Sequence, residues 1–203
     1  MIDVFKELWK RIDAASDYNQ CFVFLKQKYS EKHRFYHNLG HINKCLRELN
    51  EYVLNNSILL NEIEFAVWYH DILYDPKKQD NEEESVKIAQ DVCRESNLSA
   101  TFGKTVEKLI LSTKHLKEPE ELYEKIIVDV DLAILGSDTI QYDEYESNIR
   151  NEYSFVNNLD FAIGRKNILK RFIEKKHIFN TEYFQNKYEI IARNNLERTI
   201  CKY

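Results

Sequence analysis

The stretch FAVWYHDIL, residues 65–73, places a histidine and an aspartate inside an otherwise apolar run. Ala66, Val67 and His70 recur at the three- and four-residue spacing that puts side chains on one face of an α-helix. The stretch therefore predicts a buried helix with His70 on its apolar face. Burying Asp71 beside His70 costs several kcal/mol unless a positive group compensates it, and a divalent cation compensates both side chains.

The position of this pair along its helix matters as well. Neighbouring helical side chains diverge by about 100 degrees, so His70 and Asp71 can reach one ion only near the carboxyl end of the helix. Asp75-Pro76 follows closely, and the residue before a proline disfavours helical geometry. We therefore expect the helix to end at this dipeptide, with the acidic segment 80–84 starting the next helix.

Helical spacing of apolar residues extends through the rest of the chain. The 203 residues include only 4 Gly and 2 Pro, so the residues that punctuate turns are scarce. Residues 5–12, 42–53, 106–113 and 184–195 each carry one apolar face, and none of them shows the alternation of a strand. The sequence predicts an all-α fold. Because no Pro-, Gly- or Ser-rich linker divides the chain, we expect one domain over residues 1–203.

Composition narrows the possible partners. A net charge of -5 argues against binding to a nucleic acid duplex, which needs clustered basic residues. The four cysteines form no CxxC pair, a pattern that favours reduced, intracellular thiols over a zinc site or a disulfide framework. No apolar stretch approaches the length of a membrane helix or the core of a signal peptide. We expect a cytoplasmic protein with a small-molecule partner and no membrane partner.

Two more segments carry candidate site residues. His37 and His41 are four residues apart, so they share one face if their helix has already begun at His37. Residues 126–136, IIVDVDLAILG, hold Asp129 and Asp131 inside an apolar run, so at least one of these acids should have a partner.

The residues alone do not decide which group pairs with Asp129 or Asp131. A metal ion is one solution, and a salt bridge to a buried arginine such as Arg34 or Arg150 is the other.

The order of these residues, His41, then His70-Asp71, then Asp131, resembles the HD superfamily of metal-dependent phosphohydrolases. Over nearly its full length the chain also resembles a bacterial family of uncharacterised predicted HD phosphohydrolases. The shared residues are Arg34-Phe35-Tyr36-His37-Asn38, His41-Ile42, His70-Asp71, Asn81-Glu82, Asp129, Asp131-Leu132, Arg150, Glu152-Tyr153 and Arg193-Asn194-Asn195-Leu196. The resemblance implies a single HD-type multi-helix domain with a metal site between its central helices.

The site residues follow from this resemblance. His41, His70, Asp71 and Asp131 are implied as metal ligands, and their mixed nitrogen and oxygen atoms suit Mn, Fe, Co, Ni or Zn, with Mg also possible. Tyr36-His37-Asn38 followed by His41 is similar to the opening motif of cyclic nucleotide phosphodiesterases, in which the first histidine donates a proton. The resemblance thus implies His37 as general acid, with Asp71 also counted in the catalytic set.

Three further residues are expected to contact substrate. Arg34 is a candidate for binding phosphate, with Lys114 beside it as a weaker one, and for both the alternative is an ordinary solvated charge. Glu82 is expected at the rim of the pocket, although a helix start explains the acidic run equally well. His115 should face the same pocket and approach the substrate phosphate.

The expected function is a metal-dependent phosphohydrolase acting on a small phosphoester, such as a nucleotide or a related phosphate. Metal-bound hydroxide is the expected nucleophile. One alternative is an HD-type di-iron oxygenase, for which His115 would have to serve as a ligand of a second ion. Another alternative is a sensor that binds a metal or a nucleotide without turnover.

Overall fold

A computed structural model describes residues 1–56 and 61–203 of the chain. In these ranges the structure has ten α-helices, one 3₁₀ helix and no strand, which confirms the predicted all-α class. The helices are α1 (Ile2–Arg11), α2 (Tyr18–Tyr29), α3 (Leu39–Asn56), α4 (Asn61–Tyr69), α5 (Asn81–Glu95), α6 (Ala100–Ser112), α7 (Leu122–Leu132), α8 (Thr139–Glu152), α9 (Asn158–Ile173) and α10 (Glu182–Lys202), with the 3₁₀ helix Ala133–Gly136 following α7.

Capping side chains mark several helix starts. Asp17, Ser99, Asp138 and Asn157 each accept a hydrogen bond from a backbone N–H in the first turn of the following helix. Such a bond satisfies one of the N–H groups that a helix start leaves without an intrahelical partner. The start of each of these helices is therefore marked in the sequence by the short polar residue that precedes it.

Helix α4 lies at the centre of the molecule. Its residues Ile63 and Phe65 to Tyr69 are all buried, and it packs against α3, α6 and α7. Beyond its first turn, which holds Glu62 and Glu64, the helix is apolar on every side, and such a segment belongs inside the core. Within the described part of the chain, no helix combines the length and apolarity needed to cross a membrane.

The end of α4 differs from the sequence prediction. The helix stops at Tyr69, and His70 and Asp71 lie in the turn that follows instead of continuing toward Asp75-Pro76. Side chains satisfy the carbonyl groups that are left free: the hydroxyl of Tyr29 donates to the Trp68 carbonyl at 3.0 Å. Arg34 donates to the Asp71 and Ile72 carbonyls at 2.6 and 3.0 Å. These tertiary hydrogen bonds take the place of the backbone hydrogen bonds that a further helical turn would form.

Asp129, on α7, has its partner at the start of α10. Its carboxylate accepts hydrogen bonds from the backbone and side chain of Asn180 at 2.7 and 2.8 Å, and from the backbone and side chain of Thr181 at 2.7 and 2.8 Å. The expected alternative of a salt bridge to Arg34 or Arg150 is wrong for this residue, because both guanidinium groups bind backbone carbonyls. Asp129 therefore joins α7 to α10.

Replacing Asp129 with Ala is expected to lower the free energy of unfolding by about 3 kcal/mol, because buried donors at the start of α10 lose their charged acceptor. Chemical denaturation measures this change. The matched control is Asp138→Ala, which removes an exposed helix cap that accepts from Gln141 and should cost about 1 kcal/mol. Equal, small losses in the two variants would contradict the structural role of Asp129.

Candidate metal centre

Four side chains from three parts of the fold meet between α3, α4 and α7. The Nε2 atom of His41 lies 3.1 Å from Nε2 of His70 and 3.2 Å from Oδ1 of Asp131. The Nε2 atom of His70 lies 3.2 Å from Oδ2 of Asp71 and 3.7 Å from Oδ1 of Asp131. Oδ2 of Asp71 is also 3.6 Å from Nε2 of His41. The structure thus brings together the four residues that were expected to bind a metal.

The tautomer of His70 favours metal binding. Its Nδ1 atom lies 2.9 Å from the carbonyl oxygen of Val67, an acceptor only, so Nδ1 carries the ring proton. In the neutral ring, Nε2 therefore points its lone pair at His41 and the two carboxylates, and a hydrogen bond of this kind commonly orients a metal-binding histidine. His41 and His70 are 3% and 2% exposed, so this lone pair faces the interior and not bulk water.

The charges of the cluster are balanced internally. Burial alone would raise the pKa of the carboxyl groups of Asp71 and Asp131, but the neighbouring histidines outweigh it and hold both pKa values below their ordinary range. The two acids are therefore carboxylates. Two residue groups have the geometry to hold a metal ion, His41 with His70 and Asp71, and His41 with Cys45 and Asp131. The donor set of nitrogen and oxygen atoms fits a divalent transition metal.

Cys45 is a neighbour that the sequence did not suggest. It lies one turn after His41 on α3, with its Sγ atom 3.6 Å from Nδ1 of His41. Burial, followed by the charges of Asp131 and Asp71, raises the pKa of the Cys45 thiol well above its ordinary value. Cys45 is thus a neutral thiol that packs against the His41 ring, and its four-residue spacing from His41 is the signal that could have identified it.

His37 lies next to the cluster, but not on the same helix face as His41, because α3 begins only at Leu39. It is held instead by Glu152 at the end of α8. Nδ1 of His37 is 2.6 Å from Oε2 of Glu152, and the His37 backbone N–H donates to Oε1 at 2.9 Å. The Tyr74 hydroxyl donates to Oε2 of Glu152 at 2.9 Å, and its ring stacks on the His37 ring at 4.1 Å.

This contact sets the charge of His37. Burial lowers the pKa of the His37 imidazole, but the negative charge of Asp71 and the hydrogen bond to Glu152 outweigh burial, so the pKa is raised above its ordinary value. The sequence predicted no role for Glu152 or Tyr74, although Glu152 is among the residues shared with the HD family. Glu152 is far from His37 along the chain, and nothing in the local pattern of α8 separates it from other acids.

Arg34 lies away from the position expected for a substrate contact. Its guanidinium is buried, and it donates to Glu31 at 3.0 Å and to the carbonyl oxygens of His37, Asp71 and Ile72 at 3.1, 2.6 and 3.0 Å. These bonds occupy nearly all of its N–H groups. Arg34 therefore fixes the backbone of the two segments that carry His37 and the His70-Asp71 pair, and its placement does not favour phosphate binding.

His115 and Glu82 both lie at the edge of the cluster. Nε2 of His115 is 2.9 Å from Oδ2 of Asp131, the oxygen that faces away from His41. Burial, then the charge of Asp71, raises the pKa of Glu82. Lys114 approaches Glu82 at 3.8 Å but donates to Glu83 Oε2 at 2.6 Å, so its charge is already paired.

Comparisons of the chain with protein-family models, with curated proteins and with solved structures find no match. Any function assigned to the chain therefore depends on the side chains described above.

Metal binding is expected to depend on Asp71. An ion that binds only the folded state at a hundred times its Kd stabilises by about 2.7 kcal/mol, which corresponds to a rise in Tm of roughly 5–10 °C for a chain of this size. Asp71→Ala should abolish this rise with Mn²⁺ and remove the metal found by elemental analysis, because a ligand and a compensating charge are both lost.

Two variants serve as controls for this measurement. Asp80→Ala changes an exposed acid outside the cluster and should keep the full thermal shift. His115→Ala removes a partner of Asp131 but no ligand, so metal content should remain near one equivalent. Full metal content in Asp71→Ala would remove Asp71 from the ligand set, and loss of one of two equivalents in His115→Ala would make His115 a ligand.

Proposed function

We propose that the chain is a metal-dependent phosphohydrolase of the HD type that cleaves a small phosphoester, such as a nucleotide or a related phosphate. The observation that carries this proposal is the meeting of two imidazoles and two carboxylates beside a third, separately held imidazole. The first four groups suit a divalent ion, and His37 suits proton transfer. The resemblance of the ordered residues to HD phosphohydrolases supports the same reading.

His41, His70, Asp71 and Asp131 would hold the ion, which is Mn, Fe, Co, Ni, Zn or Mg. When bound, such an ion would polarise a phosphoryl oxygen and lower the pKa of water to about 7. The chain supplies the fixed geometry: the carbonyl of Val67 orients His70, and His115 orients Asp131. Ligands held in this way keep their positions when the ion binds.

His37 is the proposed general acid. Its Nδ1 atom is taken by Glu152, so Nε2 is the ring atom that remains free to donate a proton to the leaving oxygen of the substrate. The raised pKa favours the protonated form of the ring. Stacking on Tyr74 fixes the plane of the ring and hence the direction of the N–H bond.

Of the three residues that were predicted from the sequence to contact substrate, Glu82 and His115 are retained in the proposal and Arg34 is not. Glu82, whose pKa the charge of Asp71 helps to raise, is proposed to meet a substrate hydroxyl or amine, while His115 acts through Asp131. The two residue groups with metal-binding geometry share His41, which supports a single-ion centre over the di-iron centre of an oxygenase.

A substrate screen of the metal-loaded protein tests the proposed function. Phosphate release from nucleotides or other phosphoesters is the expected result. Oxygen uptake without phosphate release would favour the oxygenase, and tight nucleotide binding without either reaction would favour the sensor.

Glu152→Gln is expected to reduce kcat by roughly 10²- to 10⁴-fold, the range of general acid catalysis, while metal content is unchanged. The amide oxygen still accepts from the backbone, so the fold is kept, but the negative charge that raises the pKa of His37 is lost. Because the acid must be protonated to act, activity falls as pH rises through its pKa. The alkaline limb of the kcat profile should therefore move to lower pH.

Tyr74→Phe is the matched control for Glu152→Gln. It keeps the stack on His37 and removes only the hydroxyl that donates to Glu152, so the loss of kcat should be smaller. An alkaline limb that stays in place in Glu152→Gln would show that Glu152 does not act through His37.

A further inference from the structure

A cleft of about 540 Å³ lies on the far side of Tyr74 from the metal centre. Ligand-binding cavities commonly enclose about 300–1,000 Å³, so this one has the size for a small molecule. His41, His70, Asp71 and Asp131 do not line the cleft. Tyr74 lines the cleft and stacks on His37, which does not line it, and the cleft is therefore separate from the cluster described above.

The walls of the cleft are fixed by hydrogen bonds within the fold. Glu152 accepts from the backbone N–H of Tyr36 at 2.7 Å, which holds the segment before α3 against the end of α8. The side chain of Asn81 bonds the backbone N–H and the carbonyl of Asp75, both at 3.0 Å, and so closes the loop between α4 and α5. A cavity with fixed walls binds its ligand without first ordering them.

The cleft exposes two phenylalanine rings. Phe35 and Phe155 line it and are 46% and 49% exposed, whereas most other aromatic residues of the described chain are buried or partly buried. Tyr74 adds a third ring. The exposed faces of such rings are suited to stacking on a planar aromatic ligand.

The same cleft carries two basic side chains. Lys77 and Lys78 line it, and neither ammonium group forms an ion pair among the described residues; Lys77 Nζ lies 5.1 Å from the centre of the Phe155 ring.

The carboxylates of the cleft already have partners. Glu31 binds Arg34, Glu84 binds Lys87, and Glu152 binds His37. Asp75 accepts from the backbone N–H of Lys77. Among the described residues, Lys77, Lys78 and Asp75 are thus the charged groups of the cleft without a partner of opposite charge, and their sum is positive, which favours an anion.

We propose that this cleft is a second binding site, which takes a mononucleotide: an aromatic base on the rings of Phe35 and Phe155, and a phosphate at Lys77 and Lys78. The site does not depend on turnover at the metal centre, and it extends beyond the proposed hydrolase activity. Because Tyr74 and Glu152 border the cleft and also hold His37, its occupant contacts the two residues that position this imidazole.

Calorimetric titration of the full chain with AMP, after treatment with EDTA, tests this proposal. EDTA removes the metal through which the metal centre would bind a nucleotide. The expected result is therefore binding of one AMP per chain without added metal. Phe155→Ala and Lys77→Gln should each weaken AMP binding roughly tenfold, the order of one lost stacking or phosphate contact. Adenosine and inorganic phosphate, each of which offers half of the contacts, should bind more weakly than AMP.

Exposed residues elsewhere provide matched controls. Ile140→Ala and Lys26→Gln remove an exposed apolar and an exposed basic side chain outside the cleft, and AMP binding should be unchanged in both. No binding to the EDTA-treated protein, or binding that appears only with Mn²⁺, would overturn the cleft proposal; the second outcome would assign the nucleotide to the metal centre. Binding that survives both Phe155→Ala and Lys77→Gln would overturn it as well. A protein without hydrolase activity that still binds AMP in this way would contradict only the proposed reaction.

Discussion

Two carboxylates and two imidazoles face one another inside a helical core. The free-energy cost of burying them is the constraint on which the rest of the site depends. Charged groups in an apolar interior are stable only when each is paired or shared by a cation. Oδ1 of Asp131 and Oδ2 of Asp71 both lie within 3.7 Å of the two Nε2 atoms. One cation between these four atoms would compensate all of them together, and would account for the histidine and aspartate that directly follow an apolar helix.

The contacts around the cluster serve this arrangement. Arg34 binds the carbonyls of Asp71 and His37, so one buried guanidinium fixes the backbone beneath a ligand and beneath the proposed acid. Glu152 holds His37 from the opposite side with one carboxylate. Both residues act by position, and neither has to touch a substrate. The same Glu152 forms part of the wall between the metal centre and the cleft, so these two sites share a structural element.

Three of the four candidate ligands could be predicted because each of them breaks a local pattern, whereas His41 was implied by the family resemblance. His70, Asp71 and Asp131 are polar residues in apolar runs, and such anomalies require a partner whatever the fold. Asp129 and Asp131 are two residues apart, so they project from different sides of α7: one side faces the start of α10 and the other faces the cluster. Their opposite directions follow from the helix, but which one faces the cluster depends on the packing of α10.

The features that escaped prediction depend on contacts between distant parts of the chain. At the early end of α4, Tyr29 donates to the Trp68 carbonyl of the helix, and Arg34 donates to the Ile72 carbonyl in the turn that follows. The helix propensity of the local sequence does not reveal these hydrogen bonds. A sequence also does not reveal whether a guanidinium contacts solvent or buried carbonyl groups. For that reason Arg34 was expected to bind phosphate.

The position of the metal tests the central claim most directly. Crystals grown with Mn²⁺ and measured at a wavelength where manganese scatters anomalously would locate the ion. The account predicts one strong anomalous peak about 2.0–2.3 Å from Nε2 of His41, Nε2 of His70 and one carboxylate oxygen each of Asp71 and Asp131. A peak bound by other residues, or a cluster that remains free of manganese in crystals saturated with it, would contradict the account.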